Sequence, residues 1–495
     1  MSYTKLAVKG AATVFIISIL AAFLGYVARF ILARNLTVED FGLFYSVFAF
    51  LGMFGVFKSL GFDRALAKFI PEFVHKKKHN QIKSSIIYVS AIQLLTNTIV
   101  IIGIYLFSDY LSQNFFRSSH AGIVLKLMAI AFFLDSFVSV LKFAFQGFKK
   151  MSYFAGIDIV KMLLVIAIIL IGMGMNYGIL GPVAAYVLSS IIVILVFGFV
   201  LLRRIFPDFL KSKFIYEVEL IKKISRYSIF AMSAGVGMVI LGYTDTILLT
   251  YFSGLTSVAL YNVALPTAKV LMYFPRSIAG ILLPLISELW AKKEKALIRE
   301  GIESLYKYTI IIIIPLVFMI LSFSDLLIGT LFGKDYVVAS NALKILSIGM
   351  IFAVLYVVNI DFFLGIGKPE INNLIVYSAA LFNLVANIIM IPVWGIIGAA
   401  ISTTISYFIM MAIGVAKIRK YIKIRFPVKI WAKTLIAGII FVVVISLLKT
   451  AISANVWIET AIILIISGPT YLFLLFQLKV IGIRELKGLY NRIVR

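Results

Sequence analysis

Runs of roughly 20 apolar residues follow one another through nearly the whole chain, and they leave a narrow choice of folds. At 1.5 Å per residue, a helix over one such run is about 30 Å long, the thickness of a bilayer's hydrocarbon core. Stretches such as IVIIGIYLF and TIIIIIPLVFMIL are continuous, without the alternation that the strands of a membrane barrel need. With 62% hydrophobic and 14% charged residues and a mean hydropathy of +1.08, the composition lies far from that of a soluble globular protein. An all-α polytopic membrane protein is expected, with no soluble domain interrupting the runs.

Fourteen spans are expected, at 11–33, 41–62, 84–107, 121–145, 154–174, 178–202, 227–251, 257–287, 308–330, 338–364, 371–391, 394–416, 434–450 and 458–478. The first run is longer than a signal-peptide core and lacks a small-residue cleavage site, so it is read as a span. Of the 47 Lys and Arg, 35 fall in segments that a cytoplasmic N-terminus places inside, such as KKKHNQIK, AKKEKALIRE and KIRKYIKIRFPVK. Four, Arg34, Arg117, Lys334 and Lys449, fall outside. The positive-inside rule then predicts a multi-pass protein of the cytoplasmic (cell) membrane with both termini cytoplasmic. The formal charge of +26 is thereby explained by topology and contact with membrane lipids of an anionic leaflet, and no nucleic-acid partner is needed. There is no Cys, and the three His (His75, His79 and His120) lack metal-ligand spacing. Without a phosphate-cradling Gly-rich loop carrying Lys and Ser/Thr, direct ATP hydrolysis is not expected.

The sequence resembles itself at one offset. GILGPVAAYVLSS at 178 matches GIIGAAISTTISY at 395, FQGFKKMS at 145 matches FLGIGKPE at 363, LFYSV at 43 matches ALYNV at 259, and IPEF at 70 matches ISEL at 286, all offset by 216 to 218. An offset of six spans preserves orientation. Two parallel six-helix lobes are therefore expected, 1–210 and 211–425, followed by two appended helices and a cytoplasmic tail at 426–495. Such a repeat suits alternating access.

Eight basic residues fall inside spans (Arg29, Lys58, Lys126, Lys142, Lys161, Lys269, Arg276 and Lys344), against four acidic ones (Asp135, Asp158, Asp245 and Asp361). A charge at the bilayer centre costs at least about 2.5 kcal/mol, so these side chains must face protein or water. Lys126, Lys142, Lys161 and Lys344 fit snorkelling or internal pairing, for example Lys161 with Asp158 one turn away. Arg29, Lys58, Lys269 and Arg276, in the first, second and eighth spans, are the better candidates for cargo binding, because those spans would bracket a crevice between the lobes. Excess positive charge there implies an anionic cargo. Arg forks onto phosphate bidentately and Lys supplies a mobile point charge, so a diphosphate fits this chemistry. For Arg29 a second reading stays open, in which it reaches the outer interface five residues before Arg34.

The blocks LARNLTVEDFGLFYSV, LGFDRALAKFIPEF, TDTILLTYFSGLTSVALYNVA, LFGKDYVVASNALKIL, LGIGKPE and NLVANIIMIPVWGIIGAAIST resemble, in order, those of the polysaccharide-biosynthesis flippases of the O-antigen type. These belong to the multidrug, oligosaccharidyl-lipid and polysaccharide exporter superfamily and are related to the lipid II flippase. The resemblance implies movement of a polyprenyl-diphosphate-linked oligosaccharide to the outer leaflet by alternating access, without enzymatic catalysis, with polysaccharide assembly proteins as further partners. It places Arg29, Lys58, Lys269 and Arg276 in a cationic cavity, with Lys58 departing from an arginine pattern. It also implies a Na⁺ site for ion coupling, made of Asp245, Asn383, Asn387, the Ala399 carbonyl and Thr403. A structural alternative for the amides and Thr403 is simple interhelical hydrogen bonding. The appended helices resemble a pair that holds the lipid tail.

Two other functions are weighed against this one. An ion-coupled multidrug exporter of the same superfamily would have about twelve spans and an acidic or apolar cavity. A membrane-embedded polysaccharide polymerase or glycosyltransferase would need a large loop or domain with paired carboxylates, and the longest external segment is about a dozen residues.

Overall fold

A computed structural model describes residues 3–452 and 455–482, with side chains described except at 3–13, 230, 234 and 274–281. Sixteen α-helices run in order: α1 (Tyr3–Asn35), α2 (Val38–Met53), α3 (Gly55–Ser59), α4 (Phe62–His75), α5 (His79–Leu111), α6 (Ala121–Gly147), α7 (Met151–Gly174), α8 (Leu180–Val200), α9 (Val218–Ser253), α10 (Leu255–Lys269), α11 (Tyr273–Ala291), α12 (Lys295–Leu331), α13 (Ser340–Gly365), α14 (Pro369–Ile418), α15 (Val428–Ala451) and α16 (Val456–Gln477). Among the described residues twelve helices are long and apolar enough to cross a bilayer, and the bent pair α2 with α3–α4 makes a thirteenth span. Within the 50-residue α14, Gly395 adopts φ +52 and ψ −128, a conformation that a side chain disfavours. A Cβ at Gly398 would come within 2.4 Å of the Met390 carbonyl, so the chain doubles back there and α14 comprises two spans. That brings the count to the fourteen expected.

The helix boundaries repeat as the sequence does. Shifting α2, α4 and the start of α5 by 216 places their ends at 269, 291 and 295, where α10, α11 and α12 end or begin. Shifting the α7–α8 connection by 216 to 218 brings it onto the break at Gly395. The second span of each repeat is therefore broken at the same place.

The chain forms two compact units. The first contains the described residues of Met1–Pro266 with Gly329–Ala339 and Val376–Ser402. In it α2 and α3–α4 meet at 53°, and Leu60 and Gly61 follow in the left-handed region. Gly61 is required there, because a Cβ would lie 2.4 Å from the Ser228 carbonyl on α9. Breaking a helix frees carbonyls that lipid cannot satisfy. Asn97 on α5, fully buried, donates Nδ2 to the Lys58 carbonyl at 2.8 Å and closes one of them.

The second unit contains Thr267–Ile328, Ser340–Ile375 and the described residues of Thr403–Arg495. Its appended helices are fastened to α12. Pro315 has no N–H to offer the Ile311 carbonyl four residues earlier, and the Tyr471 hydroxyl of α16 donates to that carbonyl at 2.9 Å instead. Gly438 of α15 lets Phe318 of α12 approach where a side chain would clash.

Candidate functional site

The first unit holds two groups of intramembrane charge. Arg29 sits six residues before the end of α1, half-buried, with its guanidinium 4.0 Å from the centroid of the Tyr45 ring on α2. Its Nη1 donates to the backbone carbonyl of Asn262 on α10 and, at 3.3 Å, to the Asn262 side-chain oxygen. Arg29 thus turns onto protein, held by Asn262 and Tyr45. Arg34 is different: its guanidinium is spread over the carbonyls of Thr330 and Leu331 at the end of α12. Among the described residues no carboxylate lies within ion-pair distance of Arg29.

Asn262 joins this arginine to a buried carboxylate. Its Nδ2 donates to Thr246 Oγ1 at 3.2 Å, and on the neighbouring rung the Tyr261 hydroxyl donates to Asp245. Consecutive residues of α9, Asp245 and Thr246, thus bond consecutive residues of α10. Asp245 is 3% exposed and also accepts from Asn387 Nδ2 at 2.6 Å; the same amide lies 3.0 Å from Asn383 Oδ1, one turn earlier. The structure therefore brings together Asp245, Asn383 and Asn387, three residues that the resemblance groups. The Asn387 side-chain oxygen is buried with no hydrogen-bond partner among the described residues. Ala399 is fully buried and belongs to the same unit, whereas Thr403 belongs to the second unit.

The other group surrounds a cavity of about 450 Å³. Lys58 lines it, and Arg29 is not part of its lining. Lys58 is not a free cation, because its ammonium is bonded to Asp135 on α6. The second oxygen of Asp135 accepts from Lys161 on α7. A further cavity of about 400 Å³ is lined by Lys142 and Asp158, which pair with each other. The pairing of Asp158 with Lys161 expected from their one-turn spacing does not form. α6 and α7 run antiparallel, so Asp135 meets Lys161 while Lys142, two turns on, meets Asp158. Nor do these cavities carry excess positive charge: three lysines face Asp63, Asp135 and Asp158. Asp135 and Lys161 are the members that spacing alone did not single out, since their partners lie on other helices.

The remaining intramembrane charges are spread out. Lys126 lies 3.4 Å from Asp109 and Lys344 3.8 Å from Asp325, in keeping with pairing near span ends. Asp361, in the second unit, is 8% exposed, and its Oδ2 has no hydrogen-bond partner among the described residues. Lys269 is the half-buried last residue of α10, in the second unit. Arg276 lies on α11, and its side chain is outside the described residues. Among the described residues no group of three or more His, Cys, Asp or Glu could hold a metal ion.

These features belong to a multi-span transporter fold, and the comparisons with known proteins agree. A model of the family described as "Polysaccharide biosynthesis protein" matches residues 7–290, and a model named MatE matches 231–389. The chain belongs to the polysaccharide biosynthesis protein family, within the multidrug, oligosaccharidyl-lipid and polysaccharide exporter superfamily. It is 33% identical, over the full length of both chains, to the uncharacterized membrane protein MJ1068 of Methanocaldococcus jannaschii. It is 24% identical, over 90% of each chain, to a Haloferax volcanii protein named "Probable low-salt glycan biosynthesis flippase Agl15". Its fold is similar to that of the lipid II flippase MurJ in an inward closed conformation, with TM-score 0.76, 18% identity, and 97% of this chain and 99% of that one covered.

Proposed function

We propose that this chain is a flippase that carries a polyprenyl-diphosphate-linked oligosaccharide from the cytoplasmic to the outer leaflet of the cell membrane, by alternating access, for the assembly of a surface glycan. The observation that carries this reading is Arg29, an intramembrane arginine held on a tyrosine face with no carboxylate partner among the described residues. A cation kept inside a membrane at a cost of about 2.5 kcal/mol or more needs an anion from elsewhere, and a cargo diphosphate supplies one. The fork of Arg29 suits a phosphate edge, and Lys58, in the same unit, is proposed as a further headgroup cation. Membership of a polysaccharide-biosynthesis family and the name given to the Haloferax relative support the glycan. The reading requires no bond to be made or broken by the protein.

Coupling to Na⁺ belongs to the same proposal. Asp245, Asn383 and Asn387 present oxygens on facing helices, and the buried, unpartnered Asn387 oxygen is a donor of the hard type that Na⁺ prefers. With the Ala399 carbonyl of the same unit these residues would hold the coupling ion.

The test is headgroup accessibility of a fluorescent polyprenyl-diphosphate oligosaccharide in proteoliposomes. The wild type is expected to accelerate translocation, Arg29→Ala to slow it about 30-fold, the effect of removing about 2 kcal/mol of charge recognition, and Asp245→Asn to remove its dependence on a sodium gradient. A wild type that moves no such lipid but exports an organic cation would replace this reading with that of a drug exporter, to which the MatE match also points.

A further inference from the structure

The two cavities of the first unit share one wall: Lys58, Asp135, Ser139, Lys161 and Met162 line both. That wall contains one carboxylate divided between two ammonium groups, with Lys58 on one oxygen and Lys161 on the other. The side chains of Lys58 and Lys161 are only 18% and 13% exposed, so both cations have lost most of their hydration. One carboxylate cancels one of them and leaves the triad at net +1. Lys142 and Asp158 cancel each other; Asp63 also lines the larger cavity, but its carboxylate accepts from Ser139 at 2.8 Å and pairs with neither lysine of the triad.

We propose that Asp135 stands in for the diphosphate of the cargo. A diphosphate entering the cavity of about 450 Å³, a size typical of ligand pockets, takes both lysines from Asp135. It can do so because it carries more charge than a carboxylate and spreads its oxygens over two phosphorus centres, so that two point-charge ammoniums are bridged at once. Displacing Asp135 opens the shared wall and joins the two cavities. The displaced carboxylate then faces the phosphate oxygens and repels them. Release is thus built into the site, since Asp135 recaptures its lysines once the cargo has turned. This inference rests on the diphosphate-linked cargo proposed above and adds Lys161 and Asp135 to its recognition.

The experiment measures binding of inorganic pyrophosphate and of farnesyl diphosphate to the full chain in detergent at fixed ionic strength, by calorimetry and by thermal shift. Asp135→Asn is expected to bind both at least tenfold more tightly than the wild type, and its melting temperature to rise with either anion by more than the wild type's does. Lys161→Met, which leaves a neutral Lys58–Asp135 pair, is expected to fold as the wild type and to bind at least tenfold more weakly. Unchanged affinity in Lys161→Met overturns the assignment even if Asp135→Asn fails to fold. An Asp135→Asn protein that folds and binds no more tightly also overturns it. Farnesyl diphosphate that binds no more tightly than pyrophosphate overturns the lipid-borne headgroup as ligand. Should the wild type translocate no lipid-linked oligosaccharide while these affinities change as stated, the flippase reading fails and the displaced-carboxylate site stands.

Discussion

Arg29 and Asp245 are 216 residues apart, the period of the internal repeat, and so are the tyrosines that meet them, Tyr45 and Tyr261. The same slot in two repeats thus carries opposite charges beside the same aromatic residue. At Arg29 the ring offers its face to a guanidinium, a cation–π contact. At Asp245 the ring's hydroxyl donates to a carboxylate. One architecture therefore sets a cation at one position and an anion at its equivalent, the two positions at which a cargo anion and a coupling cation are proposed above. Asn262, the repeat partner of Ser46, joins the two by bonding Arg29 on one side and Thr246, the neighbour of Asp245, on the other.

Removing the negative charge should separate the two slots most sharply. At a sodium concentration 100 times the dissociation constant, a bound ion stabilises the folded protein by about 2.7 kcal/mol. The wild type should therefore melt at a higher temperature in NaCl than in the same concentration of choline chloride, and Asp245→Asn should show no such difference. Arg29→Ala should keep the sodium shift, since its bonds run to Asn262 rather than to the carboxylate. A sodium shift that survives in Asp245→Asn would show that the charge inversion between repeats does not mark an ion site.

One substitution made at both tyrosines should sharpen the comparison. Tyr261→Phe removes a hydrogen bond to a buried carboxylate, a loss of about 1.5 to 3 kcal/mol, and is expected to weaken sodium affinity at least tenfold. Tyr45→Phe leaves the ring over which Arg29 lies, and should change stability by less than about 0.5 kcal/mol. Equal costs at the two positions, measured by denaturant-dependent fluorescence, would mean that the tyrosines serve the fold alone.

Much of this was legible in the sequence because it depends on period and chain order. The fourteen spans follow from hydrophobic run length, and the repeat from four short matches whose offset reappears in the helix boundaries. Asn383 and Asn387 share a helix face by their spacing, and the structure sets both beside Asp245. What could not be read is the pairing of charges between helices. Lys161 lies one turn from Asp158, yet antiparallel packing turns each toward α6. Lys58 read as a free cavity cation because nothing local announces Asp135, 77 residues away. Asn262 carries no charge, so a search of intramembrane charges passes over it. Its one sequence signal is its place beside Tyr261 in the repeat.

The finest test concerns that asparagine. If the two slots communicate, bound Na⁺ should raise affinity for farnesyl diphosphate by at least fivefold, the lower end of typical coupling between sites, and the diphosphate should raise sodium affinity by the same factor. Asn262→Ala is expected to reduce this mutual factor to below twofold, while leaving sodium affinity measured without diphosphate near the wild-type value. Asn262→Asp retains an oxygen for Arg29 but cannot donate to Thr246, so it separates the two halves of the link. Loss of coupling in Asn262→Asp assigns the connection to the Thr246 bond; retention assigns it to the hold on Arg29. Coupling unchanged in both variants would mean that the opposite charges of the two repeats act independently. A purely structural role for Asn262 would lower stability in both variants without changing the factor, because linkage compares the two ligands within one protein.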